Sequence, residues 1–92
     1  MIRSFRDKDV ESLFNDIPVR RFRAIERAAR RKLLYLNRAR VLEDLKAPPG
    51  NHLEALKGNR KGQHSIRINE QFRLCFVWTA DGPEQVEIAD YH

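Results

Sequence analysis

The apolar positions of this chain change period once. Between Asp7 and Leu45 they recur at intervals of three and four, and from Leu53 onward at intervals of two, so helices are expected first and strands after. Ahead of both, Ile2-Arg3-Ser4-Phe5 alternates and predicts a short strand. Asp7 then offers an N-cap oxygen to a helix carrying Val10, Leu13 and Phe14, which Asn15-Asp16-Ile17-Pro18 breaks. A longer helix is expected from about Val19, with Phe22, Ile25, Ala29, Leu33 and Leu36 on one face and Asn37 as its left-handed stop. Val41, Leu42 and Leu45 suit a further turn or two, and Pro48-Pro49-Gly50 ends helical structure.

Strands are expected at 53–56, 64–68, 72–79 and 86–91, with loops at 57–62 and 69–71 and at Asp81-Gly82. The fold class is therefore α+β, N-terminal helices packed on an antiparallel sheet. Register is the most informative step, because a slip of one residue exchanges core and solvent faces. With Asn69-Glu70-Gln71 as a three-residue loop, Ile66 faces Leu74 and Ile68 faces Phe72, while Ser65, Arg67, Arg73 and Cys75 share the other face. A two-residue loop would set Ile66 beside Arg73 and spoil that separation. A tight turn at Asp81-Gly82 then places Arg73 opposite Asp90 and Val77 opposite Val86.

Size and charge narrow the function. A chain of 92 residues fills one core, so residues 1–92 form a single domain. No apolar run is long enough to span a membrane, the first residues do not read as a signal peptide, and a lone Cys75 agrees with a reducing compartment. The cytoplasm is the expected location. A net charge of +5 favours an anionic partner. Nine of the 18 basic residues fall between Arg20 and Arg40 beside a single acid, Glu26; this is either a solvated face or a phosphate-tracking stripe in which Arg27, Arg30 and Arg31 contact RNA.

The expected register gathers Arg67, Arg73, Asp90 and His92, with Tyr91 at the same end. Cleavage of RNA at a 2′-hydroxyl needs proton transfer and stabilisation of the charged phosphorane, for which histidine and arginine are suited and no metal or other cofactor is required. From spacing alone, an ordinary Arg73–Asp90 surface ion pair with a terminal histidine accounts for the same residues. Phe72, Leu74, Phe76 and Trp78 recur at period two and read as core. Ser65 lacks the context of a nucleophile elbow, and His64 and His92 fall on opposite expected faces, which argues against a metal site.

Five segments carry a resemblance: Pro48-Pro49-Gly50-Asn51, 53–58, 62–68, 72–78 and the ending Asp90-Tyr91-His92. Together they resemble the plasmid-maintenance killer family, the HigB-like toxins of the RelE superfamily, nearest to its GraT-like branch. The resemblance implies helices on a curved antiparallel sheet and a ribosome-dependent mRNA endonuclease that inhibits translation. It also implies a helix-turn-helix antitoxin as partner, with operator DNA reached only through the antitoxin complex. Asp90, Tyr91 and His92 match the family's terminal catalytic trio, and Lys57 and Arg73 its basic positions near the scissile phosphate; Arg60, Lys61 and Arg67 are expected to add RNA contacts. Glu54 stands where HigB proper has a histidine, and is the candidate second proton-transfer group. Two other functions share these features: a ParE-like toxin that poisons gyrase, against which the Asp90-Tyr91-His92 ending argues, and a ribosome-binding protein with weak catalysis.

Overall fold

A computed structural model describes residues 1–90. Helix α1 spans Lys8–Phe14 and helix α2 Glu26–Arg38; the strands are β1 Glu54–Ala55, β2 His64–Arg67, β3 Phe72–Thr79 and β4 Gly82–Asp90. The strands form one antiparallel sheet in chain order. Asp7 caps α1 as its sequence position predicts, accepting from the Asp9 amide at 2.7 Å. The stretch expected to open the long helix is instead a 3-10 turn, Arg20–Ile25, and α2 continues through Asn37 to Arg38. Asn37 does not terminate it; its Oδ1 accepts from the Ile2 amide at 2.9 Å.

One face of the sheet closes against the helices. Val10, Leu13, Phe22, Ile25, Ala29, Leu33 and Leu36 from the helical region meet Ile66, Ile68, Leu74, Phe76, Val86 and Ile88 from the strands. Each large apolar side chain buried here contributes about 1.5–3 kcal/mol, so this face dominates stability. The other face carries a small apolar patch, Leu56, Cys75 and Ala89, flanked by polar residues.

The β2–β3 register matches the sequence reading: Ile66 pairs with Leu74 and Arg67 with Arg73. Asn69 explains the turn, since its Oδ1 accepts from the amides of Gln71 at 2.9 Å and Phe72 at 2.7 Å. The β3–β4 register differs from expectation. Thr79 already pairs with Gly82, so the turn is centred on Ala80-Asp81, and Thr79 Oγ1 both donates to the Gly82 carbonyl and accepts from the Asp81 amide. A β-bulge between Cys75 and Val77 restores part of the shift, with Gln85 at φ 53°. Asp90 therefore pairs with Phe72, Arg73 pairs with Ala89, and Val77 faces Glu84.

The expected strand at Ile2–Phe5 is reduced to a parallel bridge between Phe5 and Val86. Its segment is nevertheless tied to β4: the Arg3 amide donates to the Pro83 carbonyl at 2.8 Å, and the Gln85 amide to Ser4 Oγ at 2.9 Å. Gly82, at φ 125°, leaves room for this approach, because a Cβ there would lie 2.3 Å from the Met1 carbonyl oxygen.

Candidate active site

The side chains that share a face with Ser65 and Arg73 build the site. Arg73 projects from the middle of the sheet with its side chain only 12% exposed. Its Nε donates to Ser65 Oγ at 2.7 Å, and its Nη2 to the His52 carbonyl at 2.6 Å and the Ser65 carbonyl at 3.4 Å. Glu54, opposite Ser65 on β1, brings Oε1 to 3.5 Å from the same Nη2. A guanidinium offers five N–H donors in a fixed plane. One edge is thus committed to protein acceptors, and the two Nη1 protons have no such acceptor among the described residues. That is the arrangement wanted for receiving a phosphate oxygen in a set orientation.

Arg73 lies in an open concavity of about 420 Å³ lined also by His52, Glu54, Arg67, Asn69 and Glu70. Its formal charges balance, two arginines against two glutamates, so the cavity attracts an anion only locally. Glu54 is the loosely held member: its side chain is 54% exposed and its contact to Arg73 is long. Arg67 is anchored through Nε to the Asn69 carbonyl at 3.2 Å. His52, in a left-handed conformation at φ 45°, ends the short turn Pro49–Asn51. It lines the cavity as a loop residue and supplies a carbonyl to Arg73.

Three of the expected residues, Glu54, Arg67 and Arg73, are therefore brought together. Asp90 is not with them. Its carboxylate accepts from Gln71 Nε2 at 3.0 Å, and its pairing with Phe72 places it on the opposite parity from Arg73, so no Arg73–Asp90 ion pair forms. Tyr91 and His92 lie outside the described residues. Lys57 and Lys61 are exposed around the turn Gly58–Arg60 and do not line the cavity. Arg60 turns to Gln63 at 3.0 Å and to Glu87 at 3.4 Å, where Arg6 also meets Glu87 at 3.1 Å.

The basic stretch divides in the same way. Arg21 pairs with Asp7 and, at 2.8 Å, with Asp9, and these carboxylates raise its already high pKa against the opposing effect of burial. Arg30 is tied to the Leu13 carbonyl at 3.1 Å, Asp16 at 3.2 Å and Glu26 at 3.5 Å, so it joins the two helices. Arg27 and Arg31 are exposed. Because α2 packs on the closed face of the sheet, these two charges lie on the other side of the sheet from the cavity.

Sequence reasoning does not single out Asn69, Glu70 or the His52 carbonyl for this site, and it places Ser65 on the face of Arg73 while weighing no role for it except that of a nucleophile. The Ser65 hydroxyl instead holds Arg73; the shared face in the β2–β3 register is the signal that points to it. Lys32 is a further omission. This residue sits at a helical spacing that reads as core, is 7% exposed, and donates through Nζ to Asn51 Oδ1 at 2.6 Å. Desolvation, with a smaller contribution from the neighbouring Arg31 charge, lowers its pKa. Among the described residues no group of three or more His, Cys, Asp and Glu is placed to hold a metal ion, and no helix is long and apolar enough to cross a membrane.

Residues 3–92 match the model of a family described as the RelE-like toxin of the type II toxin–antitoxin system HigB. The chain is 45% identical over 80 residues to Toxin HigB-1 of Vibrio cholerae serotype O1, covering 85% of this chain and 84% of that one. It is also 41% identical over 48 residues to an uncharacterized protein of Haemophilus influenzae, covering 52% of this chain and 48% of that one.

Proposed function

From the premise that this chain belongs to the HigB-like family of RelE-like toxins of type II toxin–antitoxin systems, we propose that the cavity around Arg73 is where it cleaves mRNA on the ribosome. Membership implies an antitoxin partner; we take that partner to be a helix-turn-helix protein and the setting to be the cytoplasm. Cleavage of ribosome-bound mRNA is the activity known for HigB toxins.

The observation that carries the site assignment is the half-committed guanidinium of Arg73. Held by Ser65 and the His52 carbonyl, with no acceptor on Nη1 among the described residues, it can bond a nonbridging phosphate oxygen as charge builds on the phosphorane. Donors fixed in advance stabilise such charge without reorganising at the moment of reaction. Glu54, 3.5 Å from the guanidinium, accepts the 2′-hydroxyl proton as the nucleophile forms. His92, whose imidazole is matched to neutral pH, protonates the departing 5′-oxygen. Tyr91 positions a nucleotide by stacking, and Asp90, whose carboxylate accepts from Gln71, orients His92. In this scheme a guanidinium and ordinary acid–base groups supply the catalysis and no metal takes part. Arg67 adds a phosphate contact from the cavity wall, and Lys57, Arg60 and Lys61 add others beside it. Arg27 and Arg31 extend the cationic surface toward ribosomal RNA.

The test is to incubate the protein with programmed ribosomes and map mRNA 5′ ends, alongside Arg73→Ala. Cuts confined to ribosome-bound message, slowed about 100-fold or more in the variant, are expected. Equal cleavage by Arg73→Ala would remove the cavity from the chemistry; intact message together with inhibited gyrase supercoiling would place the chain with the ParE-like toxins.

A further inference from the structure

Arg73 is aimed by a piece of backbone with little regular structure of its own. The His52 carbonyl and the Glu54 carboxylate both belong to the segment that runs from the turn Pro49–Asn51 into the two-residue strand β1, which Glu54 opens. So short a strand cannot fix its own approach, and the segment needs an anchor elsewhere.

Asn51 is that anchor. It is fully buried, and its Nδ2 donates to the carbonyls of Leu45 and Ala47, each at 3.1 Å. Its amide donates to the Pro48 carbonyl at 2.9 Å. Its Oδ1 accepts from Lys32 Nζ at 2.6 Å, so helix α2 reaches through the core to hold the turn. The ammonium also lies 5.4 Å from the centre of the Tyr35 ring, and no carboxylate pairs with it among the described residues. Burying a charge against one amide and one ring is costly. A methionine would fill the same space without that penalty, so what the lysine adds is a directed bond to Asn51.

We propose that Lys32 and Asn51 are positioning residues for cleavage: they lock the 48–52 turn so that the His52 carbonyl and Glu54 hold the Arg73 guanidinium in its working orientation. The proposal rests on the reading of Arg73 given above. Lys32 touches no substrate in this scheme. Its effect runs from Nζ to Asn51 Oδ1, from Asn51 to the turn, and from the next residue's carbonyl to Nη2.

A placement role differs from a general structural one in its dependence on Arg73. Lys32→Met is expected to slow single-turnover cleavage at saturating ribosomes about 100-fold, the loss that a displacement of about 1 Å brings, while ribosome affinity stays at the parental value. In an Arg73→Ala background the same substitution should have no further effect, since nothing remains to be aimed. Asn51→Asp keeps an acceptor for Lys32 but removes both Nδ2 donations; it should show the same dependence on Arg73, and it carries the comparison if Lys32→Met folds poorly. A readout independent of activity is the exchange of the Arg73 Nε proton with water by NMR, expected about ten-fold faster in Lys32→Met as the bond to Ser65 loosens. Parental cleavage by both variants, an equal loss with and without Arg73, or unchanged Nε exchange would overturn the proposal. Failure of the underlying reading looks different: Arg73→Ala itself would cleave at the parental rate, and the exchange measurement would still decide whether Lys32 places the guanidinium.

Discussion

The two faces of the sheet come from the same alternation, yet they are held in different ways. On the closed face, Ile66, Leu74, Phe76 and Ile88 are fixed by many apolar neighbours, so that stabilisation is spread over the buried area. On the open face, Arg73 depends on a few directed bonds, two of them donated to a single serine. Area is redundant and direction is not. The closed face should therefore govern whether the chain folds, and the open face whether the folded chain reacts.

The largest effect that would break this division lies on the closed face. Phe76→Ala, at a fully buried position, should lower stability by about 3–5 kcal/mol in urea unfolding, with cleavage reduced only in proportion to the unfolded fraction. A folded Phe76→Ala protein without any cleavage would show that the faces are not separable. Next comes Glu54. Glu54→Gln cannot accept a proton and should slow single-turnover cleavage about 100-fold with the urea midpoint almost unchanged, whereas Glu54→His should keep or raise the rate. Parental cleavage by Glu54→Gln across neutral pH would reduce Glu54 to a charge at the sheet edge.

Smaller effects sharpen the comparison beyond the sheet. Replacing Arg27 and Arg31 by Gln should leave cleavage chemistry alone and flatten the salt dependence of ribosome binding by about 0.7 in logarithmic slope for each RNA phosphate that is no longer neutralised. An unchanged slope would leave these charges as a solvated or antitoxin-facing surface. The smallest effect is a pH signature of the buried amine. Because the folded state holds the Lys32 pKa below 10.5, the unfolded chain binds more protons in the window between the two values, and stability gains from this group as pH rises through it. Below the folded value both states are protonated and the contribution is flat. Urea unfolding of the parent and Lys32→Met from neutral pH toward 10.5 should show their difference moving in the parent's favour; parallel curves would mean that the amine is not desolvated.

Local rules account for what is legible in the sequence. Asp7 caps α1 because an N-cap needs only its own helix. Asn69 sets the β2–β3 register because an Asx turn is closed by the next residues, and that register alone brings Arg67, Arg73 and Ser65 to one face. The β3–β4 register escapes sequence reasoning for the opposite reason. The turn moves to Ala80-Asp81, and the bulge at Gln85 is held by Ser4, a partner that no window around the strand contains. The resulting slip of one residue separates Asp90 from Arg73. Lys32 is illegible on similar grounds, since its helical position reads as core and its partner Asn51 belongs to a different element.

The bond between Ser4 and Gln85 joins residues 81 positions apart, and it bears on the order in which the chain assembles. Closing so long a loop yields little until most of the intervening chain is in place, whereas the β2–β3 hairpin closes across a few residues. The hairpin that presents Arg73 can therefore form early, and docking of the opening segment on β4 is expected among the last events of folding. Contacts made that late govern how fast a protein comes apart more than how fast it forms. Ser4 and Arg3, far from Arg73 in the sequence and making no bond to it, thus bear on the lifetime of the folded toxin.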